Sequence, residues 1–317
     1  MLTFRQLEDI PSDFGPTVVS VGNFDGVHRA HRRVIEEIVQ RSKATEARSV
    51  VVTFEPHPVR ILRPDLSFKL LTPLSEKLRL LETTGVDAVF LLPFSRDLSL
   101  MTPHDFAYEI LKKRLHAREV HEGYNFHFGH RAAGTVRILR ELGQEMGFEV
   151  HDYPEMRLRG EAVSSSHIRR LLSEGRVSRA RHLLGRPFSI LSTPGRGRGY
   201  GAKYTVPTIN LAHYEELVPK NGVYITRIRV GVECFDSVTN VGNRPTFGAD
   251  SFAVESHLLN FHPLELTAET EVELHFLDRL RDEIKFPSVE ALKEQIGRDA
   301  RKAQTYLRRL SVRQQTT

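Results

Sequence analysis

Cysteine is almost missing from this chain: among 317 residues only Cys234 carries a thiol. A single thiol excludes an intrachain disulfide and any zinc site built from several thiolates. Long apolar runs are missing too, since no stretch reaches the roughly 18 continuous residues that a membrane-spanning helix needs. The opening Met1-Leu2-Thr3-Phe4-Arg5-Gln6-Leu7-Glu8-Asp9 is too charged for the apolar segment of a signal peptide. A cytoplasmic protein in a reducing setting, neither exported nor in a membrane, is the expectation. No internal repeat at solenoid or propeller periods is visible.

What is present reads as globular. Hydrophobic residues at 40% and charged residues at 27% exclude disordered and collagen-like classes. The length suggests about two domains on a prior of roughly 150 residues each. A formal charge of +5 and a pI near 9.3 suit nucleic acid, a membrane surface or small polyanionic substrates equally, so charge alone does not choose among them.

Pattern chooses better. Thr17-Val18-Val19-Ser20-Val21 reads as a buried strand, and Val34, Ile35, Ile38 and Val39 fall on one helical face. Between them lies Gly22-Asn23-Phe24-Asp25-Gly26-Val27-His28-Arg29-Ala30-His31. A glycine turn feeding a helix N-terminus offers unpaired N–H groups and the positive end of the helix dipole, and His28 and His31 can donate to the same anion. Further strands are predicted over 49–54, 87–92, 119–122 and 148–153, alternating with helices over 76–81, 103–115 and 135–146. That alternation argues for a parallel α/β sheet covered on both faces, with ligands beyond the carboxyl ends of its strands. Three motifs follow strands accordingly. Thr53-Phe54-Glu55-Pro56-His57-Pro58 reads as a rigid extended exit rather than a helix. Gly123-Tyr124-Asn125-Phe126-His127-Phe128-Gly129 alternates aromatic and polar residues, as a loop that stacks on a planar ring would. Val163-Ser164-Ser165-Ser166-His167-Ile168-Arg169 opens a helix whose dipole and Arg169 can hold a phosphate. Zinc on His121, His127 and His130 is an alternative for the second motif.

Together these stretches resemble nucleotidylyltransferases, closest to bacterial bifunctional riboflavin kinase/FAD synthetases. The first matches their Gly-x-Phe-Asp-Gly-Val-His-x-Gly-His signature except at Ala30, and 163–169 is similar to their Ile-Ser-Ser-Thr-x-Ile-Arg signature. The resemblance implies that Gly22, Phe24, Asp25, His28, His31, Asn125, Ser164, Ser166 and Arg169 bind ATP. It also implies that His28 and His31 stabilise charge as the α-phosphorus is attacked, and that His57, Pro58 and Asn125 border the flavin.

After about Gly185 the texture changes to alternating β-branched runs over 222–230, 233–240, 253–261 and 271–277, followed by basic helix over 289–310. Two domains are therefore expected, 1–185 and 186–317, the second a small closed antiparallel barrel with a terminal helix. Gly195-Arg196-Gly197-Arg198-Gly199-Tyr200-Gly201-Ala202-Lys203 lets backbone approach phosphates under positive charge. It resembles the ATP loop of riboflavin kinases, in which Gly197, Gly199, Gly201, Thr208 and Asn210 would bind ATP, with Mg²⁺ on the oxygens of Thr208 and Asn210, a donor type that suits a hard cation. By the same resemblance Glu255 is the catalytic base, and Arg281 and Glu283 lie in a loop that closes over flavin.

The expected reactions are phosphorylation of riboflavin to FMN by the C-terminal domain and adenylylation of FMN to FAD by the N-terminal one. The partners are then ATP, riboflavin and FMN, with no nucleic acid and no membrane. A transferase for another phosphate ester is the enzyme alternative, and an RNA-binding protein using the basic glycine loop is the other.

Overall fold

The structure is a computed structural model that describes residues 1–195, 208–243, 252–262 and 266–315. It divides into two compact units, Met1–Ser165 and Ser166–Thr317. That division falls earlier than Gly185. The helices α4 (Ser165–Ser173) and α5 (Val177–Leu184) belong almost wholly with the second unit, where the Lys220 amide donates to the Leu172 carbonyl at 3.0 Å.

The first unit is built on a six-stranded sheet. Its strands are β1 (Leu2–Phe4), β2 (Thr17–Val21), β3 (Arg48–Glu55), β4 (Ala88–Pro93), β5 (Ala117–Gly123) and β6 (Glu149–Tyr153). They run in the order β1-β4-β3-β2-β5-β6, every pairing parallel. Alternation along β2 sends Val19 and Val21 to one face and Val18 to the other. On Val18's side Ile35, Ile38 and Val39 of α1 (Arg29–Ala44) and Leu80 and Leu81 of α2 (Leu74–Glu82) complete one core. On the opposite side Val19, Val21, Val50, Phe90 and Val120 pack with Phe106, Ile110 and Leu139, the last from α3 (Val136–Met146). Both faces are covered, as the alternating pattern implies.

The structure departs locally from the sequence expectation at three places. The segment predicted as one helix over 103–115 is a single α-turn, Pro103–Asp105, that passes into a π-helix, Phe106–Arg114. The 53–58 element does not leave as extended chain alone: Pro58 starts a short helix, Pro58–Leu62, because a proline's fixed φ suits the first helical position and His57 Nδ1 accepts from the Val59 amide at 3.3 Å. And β1, which the sequence reading passes over, pairs with β4 at the sheet edge.

The second unit carries another six-stranded sheet, antiparallel throughout. It comprises β7 (Phe188–Ser192), β8 (Thr208–Asn210), β9 (Gly222–Val230), β10 (Glu233–Asn243), β11 (Phe252–Leu258) and β12 (Val272–Arg281), in the order β7-β12-β9-β10-β11-β8. Its two edges meet. Pro194 bridges Leu211, the Ala212 amide donates to the Thr193 carbonyl at 2.8 Å, and the Gly195 amide donates to the Asn210 carbonyl at 2.8 Å. These contacts join the two edges locally, just beyond the ends of β7 and β8, so that the sheet curls into a half-barrel. Val223, Ile225, Val238 and Leu277 pack on Ala303 and Leu307 of the terminal helix α6 (Val289–Gln315).

Candidate active sites

In the first sheet, β2 is the first of the inner strands; β3 and β4 are added on one side of it, β5 and β6 on the other. The gap between β2 and β5 is therefore the topological switch point, where open α/β sheets bind ligands. The glycine turn leaves β2 there. Its backbone is folded tightly, with positive φ at Phe24 (47°), Gly26 (85°) and Val27 (37°). Ala30 is not among the positive-φ residues and lies in the first turn of α1. A Cβ at position 22 would stand 3.2 Å from the Phe24 ring, a tight contact that the ring would have to relieve by a few tenths of an ångström.

His28 is the N-cap of α1, its Nδ1 accepting from the His31 amide at 3.3 Å. The two imidazoles stack with centroids 3.5 Å apart and 16° between planes, and the Phe24 ring lies 5.1 Å from His31. The histidines thus form one pre-set pair at a helix N-terminus, the arrangement that receives an anion. Asp25 is buried at 2% exposure and accepts from the Leu71 amide at 3.0 Å and the Thr72 amide at 3.1 Å. Its geometry pins the turn to the 70–72 segment. The Asp25 carbonyl accepts from Ser165 Oγ at 2.8 Å, which joins the serine-rich signature to the glycine turn.

One residue of this site escaped the sequence reading. Lys77 of α2 is buried at 4% exposure, and its Nζ donates to the Asn23 carbonyl at 3.3 Å and to Thr53 Oγ1 at 3.2 Å. Burial pulls its pKa down, with Glu55 and Asp25 opposing. The signal was present: Lys77 shares the helical face of Leu80 and Leu81.

His57 is buried with its ring 4.5 Å from Phe68. Pro58 is the first residue of the short helix. Asn125 is exposed in the loop after β5, where the Phe126 and Phe128 rings stack at 5.3 Å. Ser164 and Arg169 are half-buried and Ser166 is exposed. The histidines weighed for zinc do not gather: His127 Nδ1 pairs with the Asn125 carbonyl at 2.8 Å and His130 Nδ1 with the Ser99 carbonyl at 3.1 Å. His121 instead meets Glu119 and His151. There its Nδ1 pairs with the Tyr153 hydroxyl at 2.7 Å and its Nε2 with Glu119 Oε2 at 3.0 Å, while Arg41 binds the same carboxylate through two nitrogens, at 2.9 and 2.6 Å. Arg41 supplies the positive charge that a cation would bring to Glu119.

The second unit assembles its polar residues by strand register. Glu255 stands opposite Asn210 on one side and Asn240 on the other, and Thr208 stands opposite His257. One row across three strands therefore presents an amide, a carboxylate and an amide on the same face. Asn210 Oδ1 is buried and accepts no hydrogen bond among the described residues. Thr208 Oγ1 lies 3.4 Å from His257 Nδ1, and burial holds that imidazole's pKa down. Glu283 accepts from Asn240 Nδ2 at 3.2 Å and lies against Gly242, where a side chain would collide with its carboxylate. The Arg281 guanidinium is bound by the buried Asp299 of α6, Nε at 2.9 Å and Nη2 at 2.8 Å. Gly197, Gly199 and Gly201 lie outside the described residues.

Two polar candidate sites on one chain, each on its own sheet, are the arrangement of an enzyme with two activities. Comparison with known proteins is more specific. The family profile for FAD synthetase matches residues 10–167, and that for riboflavin kinase matches residues 184–307. The bifunctional riboflavin kinase/FMN adenylyltransferase of Escherichia coli K12 is 31% identical over 283 residues, covering 89% of this chain and 90% of its own. That of Pseudomonas fluorescens is 32% identical over 300 residues, covering 94% and 96%. The chain belongs to the bifunctional riboflavin kinase/FMN adenylyltransferase family. Among solved structures, a crystal structure named as a macrolide-efflux protein from Streptococcus pneumoniae superposes with a TM-score of 0.88 at 26% identity, covering 96% of this chain and 99% of its own. Among the described residues of the present chain, no helix is long and apolar enough to cross a membrane.

Proposed function

We infer that this chain converts riboflavin to FMN and FMN to FAD, spending one ATP at each of two separate sites. The observation that carries this reading is the pairing of two family matches, FAD synthetase over the first unit's sheet and riboflavin kinase over the second's. The second match starts at residue 184, next to the boundary expected near Gly185, whereas the compact units part between Ser165 and Ser166.

At the first site, FMN's phosphate oxygen attacks the α-phosphorus of ATP, an FAD pyrophosphate bond forms, and inorganic pyrophosphate leaves. The chain's part is to position the reactants and to balance charge. Stacked His28 and His31 donate to the triphosphate at the N-terminus of α1, where the helix dipole adds to them. Gly22, Phe24 and Asp25 keep that turn in shape, Ser164, Ser166 and Arg169 hold the leaving phosphates, and His57, Pro58 and Asn125 hold the flavin end.

At the second site, Glu255 takes the proton of riboflavin's primary hydroxyl as that oxygen receives the γ-phosphoryl group and ADP leaves. Asn210 and Asn240, opposite it in register, hold the carboxylate's neighbourhood polar. Mg²⁺ fits the donors here: the buried Asn210 Oδ1 is an oxygen without a hydrogen bond among the described residues, and Thr208 supplies a hydroxyl two residues away. Such an ion neutralises phosphate charge when bound. Gly197, Gly199 and Gly201 are assigned to ATP binding by the family resemblance, and Arg281 and Glu283 to the flavin side. The reactions belong to the cytoplasm, need no nucleic acid, and set no oligomeric state.

Incubation with riboflavin, ATP and Mg²⁺, followed by chromatography of the flavins, tests the whole reading. FMN and FAD are both expected, and FMN with ATP alone as co-substrate is expected to give FAD and pyrophosphate. A folded chain that leaves riboflavin and FMN unchanged refutes it.

A further inference from the structure

The floor of the first site has a feature that neither the histidine turn nor the Asn125 loop accounts for. Strands β2 and β5 pair only as far as Val19↔Val120, whereas β2 stays paired with β3 through Val21↔Val52, and the Gly22 amide then donates to the Val52 carbonyl at 2.9 Å. β2 therefore separates from β5 in its last two residues, which opens the cleft at the switch point. Separation leaves the Val21 amide, on the β5 side, without a ladder acceptor. Glu122 of β5 supplies one: its Oε1 accepts from the Val21 amide at 2.6 Å. The carboxyl is buried at 3% exposure. A side chain has taken the place of a backbone carbonyl.

Its position in sequence gives the link a use. Val21 is followed directly by Gly22 and the turn to His28 and His31, while Glu122 is followed by Gly123 and, two residues later, Asn125. We propose that Glu122 is a positioning residue for adenylyl transfer, tying the strand that carries the histidine turn to the strand that carries the Asn125 loop. The proposal rests on the reading of the first unit as an FMN adenylyltransferase. Each half of the site can still hold its own part of the substrates without the link, but the two halves lose their fixed separation. In-line attack demands that separation, and a misplacement of about 1 Å lowers rates on the order of 10²-fold.

Burial also pushes this carboxyl well above the usual carboxylate range, the Val21 hydrogen bond opposing. What the link needs is an acceptor oxygen at glutamate's reach, which Oε1 offers to the Val21 amide. Glutamine keeps both reach and oxygen. Aspartate keeps the carboxyl but is shorter by one methylene, about 1.5 Å, which breaks a hydrogen bond of ordinary length.

The test compares the full-length wild type with Glu122→Gln and Glu122→Asp. FAD formation from FMN and ATP is measured for kcat and both KM values, with riboflavin phosphorylation by the same chain as internal reference. Val21 amide exchange with deuterium gives a readout that needs no activity. We expect Glu122→Gln to retain kcat within about threefold and Glu122→Asp to lose about 10²-fold, with KM values within about threefold and the kinase rate unchanged in both. The Val21 amide should stay protected in the glutamine variant and exchange faster in the aspartate variant. A charged catalytic group would give the opposite order, aspartate above glutamine, and that order overturns the proposal. So does an aspartate variant with wild-type kcat, an aspartate variant whose unfolding transition is lost along with its rate, or Val21 exchange that does not respond. A wild type that forms no FAD refutes the functional reading instead, and the exchange experiment then still decides whether the link exists.

Discussion

Ala30→Gly restores the residue that the nucleotidylyltransferase signature carries, and the structure determines the sign of its effect. Two readings of a glycine there differ: a positive φ, which would cost alanine roughly 1–2 kcal/mol, or a close approach to the nucleotide. Positive φ in this turn falls on Phe24, Gly26 and Val27, and Ala30 is in the first turn of α1. Glycine at a helical position loses about 0.5–1 kcal/mol to alanine through backbone entropy. In a unit of this size that corresponds to a fall in Tm of about 1–4 °C. Thermal unfolding of the full chain without ligands, followed by circular dichroism, measures it, and ATP titration of FAD formation should show KM unchanged or lower because only a methyl group is removed. A rise in Tm would refute the reasoning, since it would mean that position 30 is strained where the fold makes it helical.

His31→Ala should lower FAD formation by about 10²–10³, the cost of losing one pre-set donor, and leave riboflavin phosphorylation intact; loss of both in a folded variant argues against separate sites. Glu255→Gln should lower riboflavin phosphorylation by about 10²–10⁴ while FAD formation from supplied FMN continues, and an unchanged kinase rate would remove Glu255 from the chemistry. The Arg41 guanidinium holds Glu119 down at about 2 against an ordinary 4.5. A depressed carboxylate stabilises the fold above about pH 4.5 and loses that contribution as pH falls towards 2. Arg41→Ala should therefore shift acid unfolding to higher pH, measured by circular dichroism, and an unmoved midpoint would deny the pair any such role.

How much of this was legible in the sequence depends on where each residue's role is decided. Alternation and helical spacing report which residues face a core, so the α/β order, the barrel strands and the covering helices can be read from residues such as Val18, Val19, Ile35 and Ile38. The strand-turn-helix around His28 and His31 is equally local, and the structure builds it there. Lys77 and Glu122 are different. Each shares a face with apolar neighbours, Lys77 with Leu80 and Leu81 and Glu122 with Val120, so a charged residue on an apolar stripe was visible; what it touches was not. Their partners, Asn23, Thr53 and Val21, are fixed by which strands neighbour each other and where they separate. The zinc alternative failed for the same reason, because register across β5 and β6 brings His151 to His121 while His127 and His130 turn to nearby carbonyls. The π-helix at 106–114 carries no sequence mark distinct from an α-helix.

The short strand β1 bears on how this protein should be handled. Leu2, Thr3 and Phe4 lie alongside Ala88, Val89 and Phe90, with Phe4 buried edge-on against Phe14 at 5.1 Å. Stripped of it, β4 would offer an uncharged row of Ala88-Val89-Phe90-Leu91-Leu92 with open amides and carbonyls, the kind of border to which a strand from another molecule attaches. Those first residues cover that border. Deleting Leu2–Phe4 should therefore raise aggregation on refolding, read by light scattering, and an unchanged signal would deny the strand that role.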